Sequence, residues 1–253
     1  ELGVQLLDRT TRTVRVTAAG ERFYERAREL MLMWDHAVSQ VQLEHGEVAG
    51  KLRVSAPVVF GRRFLTPHIS KFLDAYPNLE LEVQFSDRYV DLVEEGVDVA
   101  LRVGTPQDSD YRSRTLATTP RRLVASRTYL DAHGTPKHPY DLSSHTCLLH
   151  SGIDNRVTWQ FHRGDELLRV DVGGRFRANH SETLLEVCKQ DHGIALLASW
   201  LVDAALARGE LVEVLSEFEA PKAPIQALFA SKRHTPSNVE AFVVFLQEVF
   251  GEV

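Results

Sequence analysis

Residues Leu2 to Gly20 read Leu-Gly-Val-Gln-Leu-Leu-Asp-Arg-Thr-Thr-Arg-Thr-Val-Arg-Val-Thr-Ala-Ala-Gly, two short apolar runs around a tract of arginine and threonine. Leu2, closed by Gly3, reads as the end of a helix. Val4 to Leu7 and Thr13 to Val16 predict two short strands. The tract between them makes a β-hairpin, because threonine tolerates extended backbone and arginine reaches phosphate oxygens. Arg9, Arg12 and Arg15 fall within seven residues that contain no acid. That cluster suits a local contact with nucleic acid; a solvated hairpin tip is the competing reading. Thr17 then precedes a long helical stretch, where its hydroxyl can accept a backbone N–H as an N-cap.

That helix is expected from about Ala18 to His45. Within it Phe23, Ala27, Leu30, Trp34, Ala37 and Val41 recur at alternating steps of four and three residues, the spacing of a coiled-coil seam. At 1.5 Å per residue the helix spans roughly 40 Å, too long for a small core of its own to cover. The six seam residues therefore predict pairing with the same helix of a second subunit, the two alanines permitting close approach. Packing against the rest of the chain is the alternative. Gly46 and Gly50 break the pattern and mark a hinge before Lys51.

Beyond the hinge the chain alternates strand and helix, which predicts parallel sheets covered by helices. Strands are expected at Leu52 to Ser55, Leu79 to Phe85 and Val97 to Val103. A helix from Phe64 to Tyr76, with Leu65, Ile69, Phe72 and Tyr76 on one face, is stopped by Pro77. A short helix from Tyr89 to Gly96 completes this unit. A second unit has strands near Leu123 to Ser126, Thr146 to His150 and Ile194 to Leu197, with helices at Ser181 to Gln190, capped by Asn179 or Ser181, and at Ser199 to Ala207. Leu211 to Leu215 and Ile225 to Ala230 add strands. A last helix from Pro236 carries Val239, Phe242, Val243, Leu246 and Phe250 on its apolar stripe. The fold class is α/β, two lobes joined by crossing strands, and ligands of such folds bind at the carboxyl ends of the strands, in the cleft between lobes.

Composition narrows the function. The chain has 253 residues, 43% hydrophobic and 25% charged, which is enough for a sizeable core and excludes a disordered chain. No apolar run approaches the ~18 residues of a membrane span, and no signal segment opens the chain, so no membrane partner and a cytoplasmic location are expected. Cys147 and Cys188 suit a reduced compartment as small buried hydrophobes, with redox sensing the minor alternative. The net charge of -6 argues against a surface built as a whole for nucleic acid. The chain begins with Glu1, as if it were the remainder of something longer that carried the missing basic charge.

Motifs for catalysis or cofactors are missing. There is no phosphate-binding Walker loop, no Gly-x-Gly-x-x-Gly after a strand, no His-Glu-x-x-His and no Gly-x-Ser-x-Gly elbow. His145, Cys147 and His150 lie close in sequence, but a metal would need further ligands, and structural histidines are the better reading. No catalytic residue, metal or cofactor is expected.

The run from Leu2 to Gly20 resembles the end of the winged helix-turn-helix of LysR-type transcriptional regulators, whose pattern there is LGxxLFxRxxRxxxLTxAG. The match holds at Leu2, Gly3, Leu6, Arg9, Arg12, Thr17, Ala19 and Gly20, with conservative departures at Leu7 and Val16. Gly50 to Pro57, Leu65 to Pro67, Tyr76-Pro77 and Ser86 to Gly104 are similar to the effector domain of that family; Arg102-Val103-Gly104, Tyr129-Leu130 and Asp141-Leu142 resemble one large branch of it. The resemblance implies a DNA-binding remnant at 1–17 and a dimerisation helix and hinge at 18–50. It also implies a two-lobed, periplasmic-binding-protein-like effector domain at 51–253, with lobe I at about 51–124 and 225–253 and lobe II at about 125–224.

It implies partners as well: operator DNA, a small-molecule co-inducer, a second copy in a homodimer or homotetramer, and RNA polymerase. Arg9, Thr10, Thr11 and Arg12 are the DNA contacts that remain, gripping phosphate or minor groove; major-groove reading would belong to a helix before Glu1. The matching effector positions are Pro57, Val58, Val59, Phe60, Ser86, Asp87, Arg102 and Gly104, with Ser151 and Asn179 from the second lobe. Backbone N–H groups after Pro57 could hold a carboxylate and Arg102 could supply the countercharge, which points to a small organic anion. An internal pair of Arg102 with Asp87 or Asp98, and lobe packing by Pro57 to Phe60, stay open as alternatives. So does a solute-binding protein of the same two-lobed fold; an enzyme ranks third.

Overall fold

The computed structural model describes residues 4–9, 14–20, 22–24, 26–27, 30, 48–88, 91–104, 111–151, 157–230 and 235–251. The opening hairpin pairs β1 (Leu7–Arg9) antiparallel with β2 (Val14–Val16), Leu7 opposite Val16 and Arg9 opposite Val14. The expected strand Val4 to Leu7 is thus displaced toward the arginines. The Gln5 carbonyl accepts from the Thr17 hydroxyl (2.8 Å) and the Leu6 carbonyl from the Thr17 N–H (3.0 Å), so both oxygens serve the helix start instead of the hairpin ladder. Thr17 is the N-cap expected: its Oγ1 accepts the Gly20 N–H at 3.0 Å. Gly20 is required there, because a Cβ would press into the Leu6 carbonyl oxygen and the Val16 side chain. Residues 18–20, 22–24, 26–27 and 30 are helical.

In the first lobe β3 (Gly50–Ala56) runs parallel to β4 (Leu79–Phe85) and to β5 (Val99–Val103). Alternation along β3 and β5 sends Leu52, Val54, Ala56, Val99 and Leu101 into one core, which also takes Phe60, Leu65, Phe72, Phe242, Leu246 and Phe250. The run 58–75, α1, is one continuous helical path: a turn at Val58–Phe60, a wider turn at Gly61–Leu65, a tight one at Thr66–His68 and an α-helix at Ile69–Ala75. It begins six residues before the expected Phe64, and changes of pitch bring both Phe60 and Leu65 inward. Tyr76 leaves the helical region (φ -131°) ahead of Pro77. The short helix expected from Tyr89 is instead a set of turns at 92–96, with residues 89 and 90 outside the described residues. There the Asp91 carboxylate accepts from the N–H groups of Val93 and Glu94 and Gly96 (φ 66°) ends the turn, so the helix never propagates.

β6 (Arg112–Thr119) lies in the same sheet, and β7 (Arg121–Ala125) opens the second one, so the chain changes sheets at Pro120. It returns before β14 (Ala223–Phe229). Between them come α2 (Arg127–His133), β8 (Cys147–His150), a hairpin of β9 (Val157–Arg163) and β10 (Glu166–Val172), β11 (Arg177–Ala178), α3 (Ser181–Lys189), β12 (Ile194–Ala198), α4 (Ser199–Ala207) and β13 (Val212–Glu213). α5 (Ser237–Gly251) closes the first lobe with the predicted stripe buried. The strand expected at Leu211 to Leu215 is cut to two residues, its last position being left-handed (Leu215, φ 55°).

The sheets are ordered β4-β3-β5-β14-β6 and β11-β8-β12-β7-β13. Both are mixed, not parallel as expected: β14 is antiparallel to β5 and β6, and β7 to β12 and β13. The strand arriving from the other lobe enters at the carboxyl end of the parallel trio and has to run back against it. Hydrophobics alternate to both faces of the second sheet, one face under the β9–β10 hairpin and the other under α3 and α4.

Candidate functional site

Among the described residues three connections join the lobes. At the crossovers the Arg121 Nε donates to the Pro221 carbonyl (2.8 Å) and the Ser199 N–H to the Pro120 carbonyl (2.9 Å), so the two passages are tied to each other and to the start of α4. Burial without a carboxylate partner lowers the Arg121 pKa from its usual value. Beside them Trp200 at the head of α4 meets Phe60 and Phe64 of α1 edge-on (5.9 and 5.4 Å between ring centres). Arg63 lies over both the Phe64 and Trp200 rings and donates to the Trp200 carbonyl at 2.7 Å. Val59 packs against the helical face of the second lobe.

The third connection is polar. Asp87 follows β4, and its Oδ1 accepts the Val58 N–H at 3.1 Å, the first free donor after Pro57. Its Oδ2 is 3.5 Å from Nε2 of His180 in the second lobe, the two side chains being 18% and 29% exposed. His180 is also the N-cap of α3, its Nδ1 accepting the Thr183 N–H at 3.3 Å, which corrects the expected cap at Asn179 or Ser181. With Nδ1 an acceptor, the neutral ring carries its proton on Nε2, toward Asp87.

The expected effector positions are therefore unequally placed. Pro57, Val58, Val59, Phe60, Ser86 and Asp87 converge where β3 and β4 end, Ser86 donating its N–H to the Ala56 carbonyl (2.8 Å). Asn179 stands beside His180, and Ser151 reaches the same edge through its N–H on the Ala178 carbonyl (2.8 Å). Gly104 ends β5 with φ 107° and donates to Pro224 at the returning crossover. Phe60 is buried in the first-lobe core.

Arg102 is 7% exposed and turned inward: it donates to the Leu101 and Arg88 carbonyls (2.6 and 3.3 Å) and to the Ser55 hydroxyl (3.2 Å). It thereby braces the loop that carries Asp87, while Asp87 itself is engaged with Val58 and His180. His180, Trp200, Arg63 and Arg121 were not singled out by the sequence, since each matters through a partner more than 30 residues away.

Elsewhere, β1 places the backbone of Arg9, while Thr10, Thr11 and Arg12 lie outside the described residues, as do Leu2, Gly3, Trp34, Ala37 and Val41. Phe23 and Leu30 are 45% and 67% exposed, with Ala27 partly covered. Both cysteines are free and buried, and burial pushes each thiol up to about 12. Among the described residues no group of His, Cys, Asp and Glu is placed to hold a metal ion, and no helix is long and apolar enough to cross a membrane.

A hairpin wing, a helix start and a two-lobed α/β domain are the architecture of a regulatory protein with an effector domain. Residues 45–251 match the LysR substrate binding domain. The HTH-type transcriptional regulator DmlR of Escherichia coli is 38% identical over 256 residues, spanning 99% of this chain and 82% of that protein. A Haemophilus influenzae HTH-type transcriptional regulator is 35% identical over 94% of this chain and 83% of its own length. The structure of CrgA, a LysR-type transcriptional regulator from Neisseria meningitidis, superposes with a TM-score of 0.65 at 32% identity, covering 99% of this chain and 85% of that one. The chain belongs to the LysR family of transcriptional regulators. These relatives are transcriptional regulators, and they lend no support to the solute-binding alternative.

Proposed function

We propose that this regulator senses a small organic anion between its lobes, with Pro57 to Phe60, Ser86 and Asp87 on one side and Ser151 and Asn179 on the other. The observation that supports this is the Asp87 carboxylate itself. One carboxylate here accepts from the Val58 N–H and faces His180 of the opposite lobe, so the place where an effector acid would dock offers donors from both lobes. Ligand binding then shifts the balance of lobe arrangements in proportion to its different affinities for them, and the long helix carries that shift to a paired subunit. In this reading Phe23, Ala27, Leu30, Trp34, Ala37 and Val41 form the seam of a homodimer or homotetramer. Arg9, Thr10, Thr11 and Arg12 grip the backbone of operator DNA, and RNA polymerase is the downstream partner.

Thermal denaturation with a panel of carboxylic acids and their amides tests the effector class. An acid that binds the folded chain raises Tm by mass action, and its amide, lacking the charge, raises it far less. An amide as effective as its acid removes the anion from the proposal. For Arg102, calorimetric titration of the Arg102→Ala variant with the acid so identified decides the matter: unchanged affinity removes it from the site.

A further inference from the structure

We infer that Asp87 and His180 form a clasp that holds the two lobes together in the absence of effector. The inference rests on the effector reading only for its consequence, that an acid entering the cleft displaces Asp87. Each partner is fixed within its own lobe by a second bond, Asp87 to the Val58 N–H and His180 to the Thr183 N–H, and the two meet at 3.5 Å between the lobes. Neither bond explains the other. Asp87 could cap the start of α1 from within lobe I alone, and a histidine is not among the side chains that helix N-termini prefer. Asparagine would serve α3 better, and it is too short to reach Asp87. What histidine adds is a second nitrogen on the far side of the ring, and that nitrogen faces the carboxylate.

The clasp is also held from behind. Arg102 donates to the carbonyl of Arg88, the residue after Asp87, and the Ser86 hydroxyl accepts the Arg88 N–H at 3.2 Å. The Arg88 side chain itself turns away to Glu95 (2.8 Å) and so leaves Asp87 to His180. The clasp joins the end of β4 to the start of α3, while the Arg121–Pro221 tie and the Trp200 aromatic contacts lie at the crossovers. Releasing one polar contact would therefore free the lobes to turn about the other two connections. An acid supplying its own carboxylate to Val58 and His180 removes the Asp87 side chain from the pair, so effector entry and clasp release become one event.

Hydrogen exchange on the whole chain tests this, read at peptides covering residues 57–61. His180→Asn keeps an acceptor for the Thr183 N–H and loses only the reach across the cleft. If the clasp holds Asp87 in place, exchange at 57–61 in lobe I rises by roughly twofold to fivefold, the range of a partly exposed polar pair, while the α3 peptides stay protected. Unchanged exchange at 57–61 means that Asp87 is a cap local to lobe I, and the inference falls. Asp87→Gly gives the second reading, with acetate as the probe: acetate restores protection at 57–61 in this variant, has no such effect on the parent, and loses its effect when His180→Asn is added. Acetate acting on neither overturns the inference. Clasp behaviour without any acid binding to the parent protein would leave the clasp standing and remove the effector reading; acid binding with unchanged exchange in His180→Asn would do the reverse.

Discussion

His145 occupies a position that resists protonation. Its Nδ1 is 3.2 Å from the Tyr129 hydroxyl, which already accepts the Thr146 N–H and so has its own proton to give to the imidazole. Burial, then the neighbouring His133, lower the His145 pKa from its usual value, and Asp141 only partly opposes them. The unfolded chain takes up this proton near pH 6.5, so the native state holds fewer protons below that pH. This contribution to stability is complete above pH 6.5 and is lost as pH falls through the lower folded-state value. Calorimetry between pH 7.5 and about 5 should show Tm falling, and the fall should be shallower in His145→Gln; equal slopes would refute the assignment. The two cysteines follow from burial in the same way. With thiols at about 12, neither should react with a disulfide reagent at neutral pH until the chain unfolds, and one fast equivalent in the native protein would contradict the packing. Arg102→Met leaves the Leu101 and Arg88 carbonyls and the Ser55 hydroxyl without their donor, at a cost of about 2 kcal/mol, measurable by denaturant titration. The family pattern pointed to Arg102, Ser86 and Asp87. His180 was not, because its cap is an uncommon residue and its partner lies in the other lobe.

Elements were legible where a local rule suffices. α5 carries its apolar stripe at helical spacing, Thr17 caps the helix start at 18–20, Pro77 ends α1 and Gly209 (φ 71°) follows the end of α4. They became illegible where tertiary bonds decide. β1 slides because Thr17 claims the carbonyls of Gln5 and Leu6, and α1 starts early because Phe60 has a place among Phe64, Trp200 and Phe250. The β9–β10 hairpin, missed in the sequence, covers one face of the second sheet with Trp159, Phe161, Leu168 and Val170. In α5, Phe242 is fully buried against Phe72, and Phe242→Ala should cost about 3–5 kcal/mol; a loss below 1 kcal/mol in denaturant titration would mean that this core is looser than its contacts indicate.

At the scale of the whole molecule, two α/β lobes were legible from the alternation of elements. Strand direction was not, since β7 and β14 run backwards only because each arrives from the opposite lobe. The same geometry links the lobes by two crossovers tied by Arg121, an aromatic joint at Trp200 and a polar contact at Asp87. For the cleft to control DNA, its state has to reach a second subunit, and the seam led by Phe23, Ala27 and Leu30 is the proposed path. Leu30 is 67% exposed in the single chain, so a charge placed there costs the monomer little and a paired helix a great deal. The decisive measurement is the mass of the chain in solution by light scattering, for the parent and for Leu30→Glu. A dimer or tetramer that falls to monomer on the substitution is the predicted result. A parent that is monomeric throughout, or an assembly that Leu30→Glu leaves intact, would contradict it.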